Sequence, residues 1–366
     1  MTKKPFRVLT LDGGGMRGLY TATKLLGLAQ RFNSSFKEKT PDIGKSFDLI
    51  CGTSTGAILA CGLASGISIH KISDLYIKKG KDIFTSPTPN TGTTLEKTKF
   101  AFWSYNHVNK PTAQADVLKN ELDKCFGKTT LKDVYSNRNI ALCIPSVDAR
   151  NSKAWVFKTP HIPDKTRDDN YKLADVCMAS ASAPILFPIN QQCNPDIPIE
   201  KQSFVDGGLW ANNPIMIGLI EALSMAKENQ SIQVLSVGTC DTPNGDPNKA
   251  RDPDWGIYKW KAGINIVESS LAAQSFGYSN MARFLANHMT SKDREIKVVR
   301  LEETAKSPEQ YSAIGLDKAD DLAINTLIEM AAIDASNIHS KSLNPGDNEY
   351  SFLKNLFLSM EELEVK

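Results

Sequence analysis

Gly52-Thr53-Ser54-Thr55-Gly56 is a G-x-S-x-G string set between an apolar run, Phe47 to Cys51, and a helical pattern, Thr55 to Ala64. A serine on such a strand-to-helix turn projects its hydroxyl above a sheet, and the flanking glycines Gly52 and Gly56 let strand and helix come close. The helix N-terminus behind Ser54 favours negative charge developing beside it. The chemistry this suits is nucleophilic attack on a carbonyl. Gly, Ser and Thr are also ordinary turn residues, so the string alone is ambiguous.

A second candidate is Asp12-Gly13-Gly14-Gly15-Met16-Arg17-Gly18, between the strand-like Arg7 to Leu11 and a helical pattern from Leu19 to Arg31. Consecutive glycines before a helix expose backbone N–H groups that cradle an anion. In acyl transfer that anion is the tetrahedral oxyanion, with donors centred on Gly14 and Gly15. Arg17 either supports this loop or a lipid phosphate electrostatically, or simply locks the loop by a hydrogen bond. The same residues satisfy the G-x-G-x-x-G dinucleotide fingerprint. That reading wants an acidic residue ending the next strand about 20 residues on. Glu38 and Asp42 stand near that distance, but in a polar Lys/Thr/Pro loop, and the fingerprint leaves Ser54 unexplained.

The third candidate is Asp206-Gly207-Gly208, preceded by Phe204-Val205. A carboxylate at a strand end, with Gly207 and Gly208 beside it, can reach Ser54 and act as its general base. Asn213-Pro214 downstream reads as a helix start. The five histidines, His70, His107, His161, His288 and His339, occupy no glycine-rich turn at a strand end, which favours a Ser–Asp dyad over a triad. A carboxylate is a weak base at its ordinary pKa, and burial would strengthen it.

The elements that must position these residues are short apolar strands alternating with helical patterns. Strands are expected at Arg7 to Leu11, Phe47 to Cys51, Asn139 to Val147, Lys153 to Phe157, Ser203 to Asp206 and Ile232 to Val237. This alternation predicts an α/β fold with a mostly parallel central sheet flanked by helices. We read residues 1–366 as one domain, with an insertion or cap at about 80–111 and a mainly helical part from about 268. The aromatic-rich stretches Lys99 to Tyr105 and Trp255 to Trp260 either contact a lipid interface or pack onto the core.

Composition narrows the classes. Lys and Arg total 43 and Asp and Glu 41, so a formal charge of +2 gives no reason to expect a nucleic acid polymer as partner. No stretch approaches the roughly 18 apolar residues of a membrane span. The N-terminus lacks the apolar core of a signal peptide, which predicts a cytoplasmic protein. Seven cysteines without a C-x-x-C pair read as reduced structural thiols, several of them in apolar runs (Cys51, Cys61, Cys143, Cys177), and no metal is expected.

Taken in order and spacing, DGGGMRG at 12–18, GTSTG at 52–56 and DGG at 206–208 resemble the patatin-like phospholipase family. The Ala/Ser-rich segment from Asp175 to Pro188 is similar to that family as well, and the likeness covers about residues 5–240. The resemblance implies that Ser54 is the nucleophile, Asp206 its activating partner, and Gly13, Gly14, Gly15 and Arg17 the oxyanion site. It implies a membrane phospholipid as substrate, met by peripheral contact at the inner face of a membrane, and no cofactor. Bacterial members of similar length include enzymes of antiphage defence activated by cyclic dinucleotides, which makes such a nucleotide a candidate activator. The rival expectations are a non-catalytic lipid-binding or storage protein on the same fold and, further off, a dinucleotide-binding oxidoreductase. Oligomeric state is not legible.

Overall fold

A computed structural model describes residues 4–90, 93–240, 264–344 and 349–364, together with residues 256, 260 and 346. The first half runs β1 (Phe6–Leu11), α1 (Gly18–Phe32), β2 (Leu49–Gly52), α2 (Thr55–Ala64), α3 (Ile69–Ile83), α4 (Thr94–Asn106), α5 (Ala115–Phe126) and α6 (Leu131–Arg138). Then come β3 (Ala141–Asp148), β4 (Lys153–Lys158), α7 (Leu173–Ala181), β5 (Asn190–Cys193), β6 (Lys201–Asp206), α8 (Gly208–Ala211), α9 (Ile215–Met225) and β7 (Ile232–Val237). The chain closes with α10 (Ile264–Met289), β8 (Ile296–Arg300), α11 (Pro308–Ala313), α12 (Asp321–Ser342) and α13 (Ser351–Leu358).

The expected α/β architecture is present. The sheet runs β5-β6-β3-β2-β1-β7-β8, with β4 on β3, and the five strands from β3 to β8 in this order are parallel. These strands read as apolar runs because helices cover both faces. One face packs against α1, α2, α3, α5, α7, α12 and α13, around Leu9, Leu11, Ile50, Leu142 and Ile144. The other packs against α9 and α10, around Val8, Leu49, Cys51, Cys143 and Val234. Every residue of α2 is buried, which its sequence TGAILACGLA permits at no polar cost.

Three features of the fold were not legible in the sequence. β5 and β8 are short strands that the pattern concealed: NQQC is polar, and IKVVR lies in a region dominated by helical spacing. The 80–111 region continues α3 to Ile83 and then forms α4, so it is largely helical. The third feature positions the site: β6 is antiparallel to β3. One edge of β3 pairs with β4 over residues 143–148. The other edge pairs first with β2, at residues 141–143, and then with β6, at residues 146–148. β2 and β6 therefore meet carboxyl end to carboxyl end along one edge of β3.

Candidate active site

That meeting brings the first and third motifs together. β2 ends at Gly52, and the chain turns through Ser54 at φ 55 and ψ −121 before entering α2. A positive φ at a non-glycine residue is strained and has to be over-determined by its surroundings. Here the Ser54 N–H donates to Ser180 Oγ at 2.9 Å, and the Ser180 hydroxyl donates to the Pro145 carbonyl at 2.6 Å. The turn is also tight. A Cβ on Gly52 would stand 2.1 Å from the Gly56 carbonyl oxygen, and one on Gly56 would stand 2.3 Å from that of Leu11.

Asp206 arrives from β6 beside Ser54, close enough for the serine hydroxyl to favour its ionised form. The Gly208 N–H donates to Asp206 Oδ1 at 2.6 Å. Gly207 lies against the Pro145 carbonyl oxygen, 2.2 Å from where a Cβ would stand. The Asp206 and Gly207 N–H groups donate to the carbonyls of Ser182 and Ser180. The Ala/Ser-rich end of α7 thus braces both halves of the Ser54–Asp206 pair. Burial pushes the Asp206 carboxyl up to about 6, against the nearby Ser54 hydroxyl and the Gly208 N–H bond, which favour its ionised form. A carboxylate so perturbed is a competent proton acceptor near neutral pH.

The glycine loop divides by function. The Gly13 N–H is committed to the Asn212 carbonyl at 3.0 Å, which narrows the expected donor set. Among the described residues, the Gly14 and Gly15 N–H groups donate to no protein atom, and both residues line the same cavity as Ser54. Gly15 sits at φ +56, where a Cβ would also strike the Leu316 carbonyl oxygen at 2.0 Å. The Arg17 Nε donates to the Gly14 carbonyl at 3.4 Å, so this side chain braces the loop. Asp12, fully buried, pairs with Arg300 at 2.6 and 3.2 Å.

A cavity of about 300 Å³ opens beside Ser54 and Asp206. Its walls are mainly apolar, including Phe84, Ile185, Phe187, Leu209, Leu271 and Ile314. A volume and lining of this kind suit an apolar chain more than a charged nucleotide. The acidic residues a dinucleotide site would need are placed elsewhere: Asp42 pairs with Arg138 at 2.6 Å, and Glu38 is exposed.

No histidine lines that cavity. His161 instead forms a buried cluster behind the sheet with Cys143 and Glu221, the only grouping of possible metal ligands among the described residues. The Glu221 carboxylate faces His161 Nε2 at 3.0 Å and Lys158 Nζ at 2.6 Å. Burial pulls the His161 imidazole down, but the neighbouring Cys143 and the bond to Glu221 outweigh this and raise it to about 9. With imidazolium and ammonium both on one carboxylate, the group already carries a net positive charge and a third cation has no place.

The aromatic stretch in α4 splits. Phe100 and Trp103 are buried and stack at 5.8 Å, with Trp103 Nε1 donating to the Ser86 carbonyl, whereas Phe102 and Tyr105 are 69% and 79% exposed. The other stretch, Trp255 to Trp260, lies almost wholly outside the described residues. Among the described residues, no helix is long and apolar enough to cross a membrane.

Sequence reasoning missed Ser180, Asn212 and Arg300. Ser180 and Asn212 lie in segments that were noticed, ASASAP and ANNP, without any signal of what they would touch. Arg300 lies 288 residues from Asp12, and nothing local marks it.

A family model described as patatin-like phospholipase matches residues 9–219. The chain is 32% identical over 337 residues to a cGAMP-activated phospholipase of Escherichia coli (strain TW11681), covering 89% of this chain and 87% of that one. It is 30% identical over 335 residues to a cGAMP-activated phospholipase of Vibrio cholerae, covering 89% of each. A protein of the same description from Pseudomonas aeruginosa is 32% identical over 282 residues, 76% of this chain and 74% of its own.

Proposed function

This chain belongs to the patatin-like phospholipase family, and on that premise we propose that it cleaves fatty-acyl esters of membrane phospholipids with Ser54 as nucleophile and Asp206 as base, under the control of a cyclic dinucleotide. The observation that carries the reading is the buried Asp206 carboxylate beside Ser54, both lining one mainly apolar cavity.

In this mechanism Asp206 takes the Ser54 proton as Oγ attacks the ester carbonyl. The carbonyl oxygen becomes an oxyanion, which the Gly14 and Gly15 N–H groups receive. Each donor of this kind is worth about 2.7–4 kcal/mol in the transition state. Asp206 then gives its proton to the departing lysolipid oxygen, leaving an acyl-enzyme. Water, deprotonated by Asp206, attacks the acyl carbonyl, and the fatty acid leaves as Ser54 recovers its proton. Arg17 acts on the oxyanion site through the Gly14 carbonyl it binds. Glycines 52, 56, 207 and 208 support the geometry through the close approaches they permit.

Control by a cyclic dinucleotide rests on three relatives that carry cGAMP activation in their names and align along most of their own length with this chain. The exposed Phe102 and Tyr105 supply an apolar face for the inner surface of a membrane.

The test is fatty-acid release from mixed phospholipid vesicles by wild type and Ser54→Ala, with and without cyclic dinucleotides including cGAMP. Release by wild type alone, dependent on a nucleotide, is the expected outcome. Equal release by both proteins would remove Ser54 from the mechanism. Inactivity of both under every condition, with retained vesicle binding, would favour a lipid-binding protein.

A further inference from the structure

Adjoining the 300 Å³ cavity is a second, much smaller one of about 30 Å³. It runs between α2, α3 and α5, with Ile58, Leu75, Ile83 and Leu118 among its walls. Two polar groups in its wall, the Thr55 and Tyr76 hydroxyls, bond to each other and leave the crevice apolar. A space of this size takes one or two water-sized groups, and an apolar lining gives water no partner.

The two cavities share Ser54, Gly15, Ala181, Phe84 and Phe187. Phe84 and Phe187 meet edge to face, ring centroids 5.9 Å apart. They come from different loops, one after α3 and one after α7, and a single strip of backbone clamps both. The Gln114 N–H donates to the Ile83 carbonyl at 2.8 Å, and the Ala113 N–H to the Leu186 carbonyl at 2.9 Å. Phe187 is 7% exposed, so its ring is fixed in the core and not swinging in solvent. The pair, together with Ser54, Gly15 and Ala181, forms the wall between a roomy apolar cavity and a small apolar crevice.

We propose that the Phe84–Phe187 pair is the floor of the acyl-binding cavity and sets the length of fatty-acyl chain the enzyme accepts. The proposal rests on the Ser54 hydrolase reading and extends it to substrate choice. A chain extending from the Ser54 ester gains apolar burial with each methylene until its end meets the two rings. Beyond that length, added methylenes have no buried space and bring no further gain. Removing the Phe187 ring joins the cavities, so that longer chains find burial in the crevice lined by Ile58 and Leu118.

The experiment is a chain-length profile of kcat/KM on p-nitrophenyl esters from butyrate to stearate, measured with and without cGAMP. Wild type is expected to gain with each methylene and then level off. Phe187→Ala and the milder Phe187→Leu are expected to keep gaining past that point, by up to roughly fourfold for each newly buried methylene. Leu75→Trp, placed on Phe187→Ala to refill the crevice, is expected to restore the wild-type plateau. Thermal melts establish that each variant is folded, and Phe187→Leu serves if the alanine is not. Folded, active Phe187 variants with an unshifted plateau would overturn the proposal. Wild type inactive on every ester would instead overturn the hydrolase reading, and the acyl floor with it.

Discussion

Asp206 has two properties that pull against each other. Its folded-state carboxyl stands at about 6, above the ordinary 3.8, because it is buried. For catalysis this means that the base form is populated only above that value, so kcat/KM is expected to rise through about pH 6 and flatten above it. For stability the sign is opposite. The folded state holds this proton more tightly than the unfolded chain, so folding is penalised above about pH 6 and the penalty fades toward pH 4. Asp206→Asn is therefore expected to abolish hydrolysis while raising the melting temperature at pH 8. A variant that lost activity and stability together would show that the carboxylate's interactions with Ser54 and Gly208 outweigh its burial. Ser180 shapes the same site without touching substrate. Ser180→Ala leaves the strained Ser54 amide without its acceptor, and a lost bond of about 1 kcal/mol predicts roughly a fivefold fall in kcat with KM nearly unchanged. An effect on KM alone would show that Ser180 does not position the nucleophile.

At the scale of elements, α4 illustrates how one aromatic run serves two purposes. Its N-terminus is fixed by a capping box in which Thr93 and Glu96 satisfy each other's backbone N–H groups. Helical spacing then turns Phe100 and Trp103 inward and leaves Phe102 and Tyr105, three residues apart, on the solvent side. Replacing both Phe102 and Tyr105 by serine is expected to weaken co-sedimentation with phospholipid vesicles and leave hydrolysis of a soluble short-chain ester unchanged. Undiminished vesicle binding would assign the membrane contact to another face. The glycine loop is an element of the same kind, shaped by what packs on it. Leu316, between α11 and α12, accepts from the Met16 N–H at 2.8 Å and leaves no room for a side chain at Gly15.

At the scale of the molecule, the two faces of the sheet carry different loads. One supports the active site, while the other buries the cluster of His161, Glu221 and Lys158, which ties the loop after β4 to α9. The His161 imidazole is raised from 6.5 to about 9, so its contribution to stability is complete below pH 6.5 and is lost as pH rises through 9. Urea unfolding is expected to show this loss in wild type and a flatter profile in His161→Gln. Identical pH profiles for the two proteins would mean that the ion pair contributes nothing net. Cys143 belongs to this cluster and pairs in register with Cys51, three residues before Ser54.

The alternation of strands with helices, apart from β5 and β8, the strand-to-helix turn at Ser54, the glycine loop before α1 and the carboxylate at the end of β6 were readable from sequence. Each is written locally, in apolar periodicity or in glycines at a turn, and local preference survives folding. The direction of β6 was not readable, since a short run such as KQSFVD looks the same whichever way it pairs. Tertiary structure alone determined that β2 and β6 would meet head to head on β3. It also determined that Gly13 would spend its N–H on Asn212, and that Ser180 and Arg300 would brace residues 126 and 288 positions away. Such bonds depend on which groups the packed chain brings within about 3 Å of each other, a condition that no residue's own neighbourhood encodes.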